Sequence, residues 1–203
     1  MARRNDHSRE QLQDMALLAS ESIISRDGIA GLSTRKVASE IGYSAGTLYQ
    51  VFNNFDDLIL QLNSRTLSRL QSQLKQAKQP SAIATVISYG HTYLKFAQQQ
   101  PELWHLLFEH RAANPDHKPE HLLTNIDSLF DLVKQELLGL KPLATDTDVT
   151  VAAHSLWCGV HGIAVLMLKN KLLNNSQHSA QQALDCLLNN FIQGWINQGE
   201  NHA

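Results

Sequence analysis

The sequence of 203 residues has few of the features that cross-link a chain or anchor it in a membrane. Its two cysteines, Cys158 and Cys186, lie in apolar helical patterns, so we expect them to pack rather than to form a disulfide. No uninterrupted apolar run reaches the roughly 18 residues that a membrane span needs. The charged N-terminus is not followed by an apolar segment, so we expect no secretory signal. These absences predict a cytoplasmic protein with no membrane segment.

The chain also lacks an excess of charge of one sign. It has 17 Lys and Arg against 19 Asp and Glu, which gives a net charge of −2. Residues 1–55 contain six basic and six acidic side chains, so this part is neutral. A balance of this kind excludes a general polyanion binder, and any affinity for nucleic acid must depend on where individual charges lie.

Catalytic and metal-binding motifs are missing as well. The sequence has no G-x-S-x-G, no glycine-rich phosphate loop and no H-E-x-x-H, so we predict no catalytic residue and no cofactor. His117 and His121 have the i, i+4 spacing of a chelating pair, and His105 and His110 flank Glu109. No third ligand is fixed by spacing, so surface histidines are the preferred interpretation and we predict no metal site.

Helical periodicity is the main pattern that is present, with no strand pattern, repeat or heptad run. We therefore predict an all-α fold of about nine helices. A three-helix helix-turn-helix domain would occupy residues 1–54, and a helical ligand-binding and dimerisation domain would occupy residues 55–203. The predicted helices cover about 8–26, 33–41, 45–51, 54–78, 81–99, 101–108, 120–138, 146–172 and 179–197.

Two short helices between Ser33 and Val51 form the most informative segment. Ser33 is placed to cap the first helix, Gly42 to end it, and Ser44 to cap the second. Two short helices joined by a tight turn containing glycine form the arrangement that places the second helix in the DNA major groove. Short polar helices also occur in other all-helical proteins, so this periodicity alone leaves both interpretations open.

The residues left facing outward suit DNA. Small residues allow the backbone to approach base edges, hydroxyl groups bind phosphates, and Arg35 has the length and geometry to bind guanine. Arg3 and Arg4 precede the first helix and form either a minor-groove arm or a solvated tail. The predicted DNA-binding residues are Arg3, Arg4, Ser33, Thr34, Arg35, Lys36, Tyr43, Ser44, Ala45, Gly46, Thr47, Tyr49 and Gln50.

Residues 12–62 resemble the DNA-binding domain of the TetR family of bacterial transcription regulators. The matching marks are Leu32-Ser33-Thr34-Arg35, Val37-Ala38, Ile41-Gly42, Gly46-Thr47-Leu48-Tyr49, Phe52 and the pair Asp56-Asp57 before Leu58. The resemblance implies binding to a double-stranded DNA operator. Phe55 stands where this family usually has a lysine that contacts a phosphate. We expect Phe55 to pack on the N-terminal helix-turn-helix domain, which we call the headpiece, and to stiffen the hinge between the headpiece and the fourth helix.

A second resemblance lies near the C-terminus. Trp157 followed by His161-Gly162 is similar to the C-terminal domain of one TetR subgroup. This implies a homodimer in which the last two helices of each subunit form a four-helix bundle. The apolar residues expected on that face are Leu156, Ile163, Leu184, Leu188, Phe191 and Trp195.

A sensor pocket is predicted in the C-terminal domain, because ligand pockets are mostly apolar with a few placed polar groups. We expect Gly162 to let another helix approach and to leave His161 inside. Plain core packing is the alternative for the aromatic residues. The predicted lining residues are Tyr93, Trp104, Phe108, Phe130, Trp157 and His161.

The predicted function is a ligand-responsive, homodimeric transcription regulator, most simply a repressor. A small apolar or aromatic molecule would release it from a palindromic operator. An enzyme and a helical protein–protein adaptor are the competing classes, and the adaptor would be favoured if the purified dimer bound no DNA at low salt.

Overall fold

The computed structural model describes residues 7–110, 120–172 and 177–197, and these residues are helical apart from short connections. The predicted all-α fold is confirmed, with nine α-helices in the described ranges and a 3₁₀ turn at Ile29–Gly31. The helices are α1 (Arg9–Asp27), α2 (Thr34–Glu40), α3 (Ala45–Leu48), α4 (Phe55–Gln76), α5 (Ala82–Gln99), α6 (Pro101–Glu109), α7 (Glu120–Leu140), α8 (Asp146–Leu168) and α9 (Gln177–Asn197).

Local capping side chains determine where several helices begin. Ser8 and Gln11 form a reciprocal capping box at α1, with the Ser8 amide donating to Gln11 Oε1 at 2.7 Å. At α4 the amide of Asp57 donates to Asn54 Oδ1 at 2.8 Å, as expected for an asparagine cap. Ser81 caps α5 in the same way. These starts follow from the sequence because each cap satisfies amides that lack a helical partner.

Several helix ends differ from the predicted ones. α3 ends at Leu48 rather than Val51, and the chain continues through 3₁₀-type bonds such as Val51 N–H to Leu48 O at 2.9 Å. α7 runs past Gly139 to Leu140. α8 ends at Leu168 because Asn170 adopts φ 51°, which closes a Schellman motif with the Lys171 amide on Leu166 O at 2.8 Å.

The first compact unit lies within residues 1–66 and 102–123. Its core joins buried residues of α1, α2, α3, the first half of α4 and α6. Leu58 and Leu62 contribute from α4, and Leu103 and Leu106 contribute from α6. The boundary of this unit therefore differs from the predicted domain boundary between residues 54 and 55, because apolar residues after residue 54 pack on the headpiece. The functional division into residues 1–54 and 55–203 remains a prediction.

The second compact unit lies within residues 67–101 and 124–203. Gly90 of α5 lies so close to α9 that a Cβ placed there would come within 2.8 Å of Leu188 Cδ1. Trp195 of α9 is buried and donates from Nε1 to the carbonyl oxygen of Leu137 at 2.9 Å. Lys141 Nζ lies 5.0 Å from the centroid of the Trp195 ring, within the range of a cation–π contact.

The expected dimer face requires a correction. Leu156, Leu184, Leu188 and Trp195 are buried inside their own chain, so these residues do not form a free surface. These residues are buried within one chain, rather than left for a partner, because α5, α8 and α9 pack together into a core. Within one chain no helix approaches Gly162, since a Cβ there would meet no atom within 4 Å.

α8 is more apolar than the search for uninterrupted runs suggested. Within the described residues it is the one helix that is long and apolar enough to cross a membrane by length and composition, with a mean hydropathy of 1.6 over the best window. An average of this kind tolerates polar residues such as His154 and His161, which a search for uninterrupted runs does not. Core helices of soluble proteins pass the same test. Only 28% of that window is buried in one chain, so much of the apolar surface of α8 is uncovered.

Gly90→Ala should destabilise the second unit by about 1–3 kcal/mol, because the added methyl group displaces Leu188 from a closed core. Urea unfolding followed by circular dichroism measures this change. Gly139→Ala is the matched control, since its Cβ would meet Ala82 at an ordinary 3.8 Å. The control should be neutral or stabilising by up to about 1 kcal/mol. Equal midpoints for the two variants would contradict the close α5–α9 packing.

Candidate nucleic-acid interface and aromatic cluster

The helix-turn-helix is built by local hydrogen bonds. Ser33 Oγ accepts from the amide of Lys36 at 3.3 Å and caps α2. Gly42 adopts φ 76°, which favours glycine, and the amide of Tyr43 then donates to Ala38 O at 2.9 Å. Ser44 Oγ accepts from the amide of Thr47 at 3.2 Å and caps α3. The predicted caps and turn are therefore confirmed.

The predicted DNA-binding residues lie around these two helices, and the structure exposes them to different degrees. Tyr49 is the most exposed aromatic residue of the described chain, with 54% of its surface accessible. Arg3 and Arg4 lie outside the described residues. The exposed residues are Ser33, Arg35, Ser44, Gly46 and Gln50, and the half-buried ones are Thr34, Lys36, Tyr43, Ala45 and Thr47.

Ion pairs within the headpiece neutralise part of its positive charge. Lys36 Nζ lies 2.5 Å from Asp27 Oδ2, and Arg26 lies 3.2 Å from Asp27 and 3.3 Å from Glu40. The hydrogen bond from Lys36, with a smaller contribution from Arg26, lowers the pKa of Asp27 below its usual range. No ion pair involving Arg35 is found in the described part of the chain. Arg35 is therefore better placed than Lys36 to bind a phosphate or a base.

His7 belongs to this surface although no sequence signal pointed to it. Its Nδ1 lies 2.7 Å from the hydroxyl oxygen of Tyr43, and the two rings meet edge to face with centroids 6.0 Å apart. The residues are 36 positions apart, so only the packing of α1 against the helix-turn-helix brings them together. The contact links the residue before the Ser8 cap to the turn before the Ser44 cap.

Phe55 is half-buried and packs against the core of the first unit, as expected. Tyr43, which follows the turn glycine, packs there as well. Both side chains therefore add apolar contact to the headpiece. A stiffer hinge at Phe55 remains a prediction.

Four of the six predicted pocket residues form an aromatic cluster in the second unit, which we define as Tyr93, Phe130, Trp157 and His161. The Tyr93 hydroxyl lies 2.8 Å from His161 Nδ1. The Trp157 ring lies 5.0 Å from the His161 ring and 5.8 Å from the Phe130 ring, centroid to centroid. His154, which was not predicted, extends the cluster with its ring 4.2 Å from Phe130.

The polar side chains of this cluster are partly or fully buried from solvent. Burial lowers the pKa of His161, which favours its neutral form near neutral pH. With Trp157, whose ring centroid lies 5.0 Å from that of His161, the pair places a hydroxyl and an imidazole beside an indole ring.

Trp104 and Phe108 are not among the rings that contact one another in the aromatic cluster. Both belong to α6 in the first unit, with ring centroids 4.9 Å apart, and Trp104 is buried. Among the described residues, no three His, Cys, Asp or Glu side chains are grouped to hold a metal. His105 instead lies 3.3 Å from Glu109, and His110 lies 3.3 Å from Asp56. His117 lies outside the described residues.

Comparison with known proteins shows where this architecture recurs. The nucleoid occlusion factor SlmA of Citrobacter koseri is 29% identical over 140 residues. The alignment covers 67% of this chain and 66%, just under two thirds, of that relative. A protein of unknown function from Rhodococcus sp. RHA1 has a similar structure, with a TM-score of 0.76 at 22% identity, covering 95% of this chain and 98% of that one. RolR, solved in complex with resorcinol, has a TM-score of 0.65 at 14% identity, covering 94% and 95%.

Two family models match the chain directly. Residues 16–62, which contain the helix-turn-helix, match the model for bacterial regulatory proteins of the tetR family. Residues 86–191, more than half of the chain, match the tetracyclin repressor-like C-terminal domain and contain the aromatic cluster. The two matches follow each other in chain order, as the N-terminal headpiece and the helical domain do. The chain therefore belongs to the TetR family of bacterial regulatory proteins.

Proposed function

We propose that the protein is a homodimeric transcriptional repressor that leaves a palindromic DNA operator when a small apolar or aromatic molecule binds. The observation that carries the ligand response is the hydrogen bond between Tyr93 and His161 inside the aromatic cluster. An adaptor that acts only through its surface has no need of a hydroxyl–imidazole pair among half-buried rings. We propose a cytoplasmic location and no enzymatic activity.

The DNA-binding role rests on the capped helix-turn-helix. α3 is a single turn, so its side chains and those of the following turn would enter the groove together. We propose that Arg35 and Gln50 contact bases, while Thr34, Thr47 and Tyr49 hold phosphates. The remaining predicted DNA-binding residues would line the same surface, with Arg3 and Arg4 reaching the minor groove.

The effector is proposed from the chemistry of the aromatic cluster. Phe130 and Trp157 supply aromatic rings, and Tyr93 and His161 supply a hydroxyl and an imidazole, a combination of residue types that suits an aromatic ring with a hydroxyl or carbonyl group. The binding of resorcinol by RolR is consistent with a ligand of this class. Trp104 and Phe108 remain proposed lining residues on the strength of their sequence position alone.

The dimer is proposed through α8 and α9. Val151, Cys158 and Leu166 are exposed on one side of α8, so Cys158 does not pack inside its own chain as expected. Gly162 lies on the same side with open space beside it. Positions four and seven apart lie on one helical face. Gly194 of α9 likewise meets open space. A second copy of α8 and α9 would cover this face and supply the two-fold symmetry that a palindrome requires.

The coupling between ligand and DNA is proposed to run through α4. This helix is unbroken from Phe55 to Gln76 and has residues in both compact units. A ligand that favours one position of α4 would alter the distance between the recognition helices, α3 of each subunit. That distance must match operator half-sites about 34–36 Å apart. Linkage then requires that DNA weaken ligand binding by the same factor.

Tyr49→Ala should raise the dissociation constant for DNA from the region upstream of the gene by about tenfold or more, because hydrogen bonds to charged groups contribute about 1.5–3 kcal/mol. Fluorescence anisotropy measures the affinity, and size-exclusion chromatography checks the dimer. Leu18→Ala is the control in the same headpiece, since Leu18 is 52% exposed against 54% for Tyr49. Unchanged DNA affinity in Tyr49→Ala would contradict the assigned surface.

Tyr93→Phe should leave DNA binding intact and weaken the response to an effector by about three- to tenfold, the value of one hydrogen bond. The measurement is release of bound DNA by a panel of phenols and benzoates that includes resorcinol. His91→Gln is the control in the same unit, because His91 pairs with Asp185 at 2.8 Å outside the aromatic cluster. Release that is identical in Tyr93→Phe and the wild type would exclude the cluster as the sensor.

Leu166→Asp should convert the dimer to a monomer, because it places a carboxylate on the proposed apolar interface. Leu166 is 44% exposed, so its own subunit should stay folded. Leu143→Asp is the matched control at a residue that is 97% exposed outside both helices. Sedimentation equilibrium distinguishes the two states, and a Leu166→Asp variant that remains dimeric would exclude this face.

A further inference from the structure

We infer that His7 and Tyr43 form a phosphate clamp on the headpiece, in which proton uptake by His7 turns the Tyr43 hydroxyl towards the DNA backbone. The clamp adds His7, which no sequence motif indicates, to the DNA-contacting residues. It rests on the proposed DNA-binding function and specifies one further contact and its dependence on pH.

The geometry places both side chains at the edge of the recognition surface. Tyr43 stands between the turn glycine Gly42 and the Ser44 cap of α3. Its ring packs against the headpiece core while its hydroxyl oxygen reaches His7 Nδ1 at 2.7 Å. In a docked helix-turn-helix, residues flanking the recognition helix lie beside the phosphates, whereas the helix itself faces the bases. His7 is exposed, so a phosphate can reach it.

The protonation state of His7 determines which group of the pair donates the hydrogen bond between them. When His7 is neutral and accepts at Nδ1, the Tyr43 O–H donates to it and is used up. When His7 takes up one proton from solvent, both ring nitrogens become donors, and Nδ1–H donates to the Tyr43 oxygen. The Tyr43 O–H is then released, and it can donate to a phosphate together with His7 Nε2–H. One proton per subunit therefore adds one positive charge and one outward donor, the Tyr43 O–H, beside the Nε2–H that the neutral His7 already carries.

A positive charge on His7 would matter for DNA binding because ion pairs neutralise most of the other cations in residues 7–66. Lys36 and Arg26 are held by Asp27 and Glu40, and Arg65 lies 3.0 Å from Asp14 and 3.3 Å from Glu21. Arg9 and Arg35 are the cations of residues 7–66 for which no ion pair is found. A third unneutralised cation would raise the net attraction to DNA substantially.

Other polar groups near His7 are already committed or are not titratable near neutral pH. The Ser8 hydroxyl and the Gln11 side chain bind each other's backbone in the capping box. Tyr43 is the titratable group that contacts His7 within the described chain, while Arg9 and Glu10 follow on α1 itself. Histidine side chains in general change charge between pH 5 and 8, so the test spans that range.

The test compares the affinity of the full-length protein for a random-sequence duplex of about 30 base pairs near pH 6 and near pH 8 over a series of salt concentrations. A random duplex suffices because a phosphate contact carries no sequence information. Wild type should bind about three- to tenfold more tightly near pH 6. Its salt slope there should be steeper by about 0.9 per subunit, the value for one phosphate.

Two variants separate charge from hydroxyl. His7→Gln should lose most of the pH dependence and the extra salt slope. Tyr43→Phe should bind more weakly near pH 6, where the wild-type hydroxyl is released, and should match the wild type near pH 8. It should keep the steeper slope near pH 6, since His7 retains its charge. His91→Gln is the control for a histidine paired with a carboxylate elsewhere and should match the wild type. Circular dichroism verifies that each variant is folded.

The outcomes are distinguishable. A pH dependence and salt slope that are the same in His7→Gln and the wild type would overturn the clamp while leaving the proposed DNA-binding function intact. A wild-type protein that fails to bind the duplex at low salt would overturn both. Loss of the pH dependence in His7→Gln, with retention of the steeper salt slope in Tyr43→Phe and His91→Gln, is the result expected from a charged His7 on a phosphate.

Discussion

The burial of one face of α4 is the constraint on which the rest of the structure depends. Leu58 and Leu62 of its first half complete the core beneath the helix-turn-helix, while Leu70 and Leu74 of its second half are buried as part of the other unit. A single helix therefore contributes residues to two cores. The Asn54 cap fixes where this helix begins and so where the headpiece meets it.

Charge and apolar packing have separate tasks in the headpiece. Apolar contacts from α1, α4 and α6 hold the two short helices in place, which is necessary because helices of four and seven residues are unstable alone. Ion pairs around Asp27 then remove part of the positive charge from the surface. The surface that results suits groove contacts through hydroxyl groups and Arg35 more than a broad electrostatic attraction, and it makes affinity sensitive to each added cation.

The second unit combines a closed core with an open face. Gly90 and Leu188 seal α5 against α9, and Trp195 anchors α9 to α7 through its indole N–H. On the other side of α8, exposed Val151 and Leu166 remain without a covering helix in one chain. The aromatic cluster around Tyr93 and His161 lies in this same unit, so the unit contains both the proposed sensor and the proposed dimer contact.

The sequence by itself determined the features that depend on neighbours along the chain. The caps at Ser33, Ser44 and Asn54, the Gly42 turn and most helix limits follow from local hydrogen bonds and periodicity, and the family follows from the motif they form. Tertiary structure decided the rest. It buried Leu156 and Leu188 in one chain, paired Lys36 with Asp27 and brought His7 to Tyr43. These contacts join residues far apart in sequence, and helical periodicity states only that a face is apolar, not which surface will cover it.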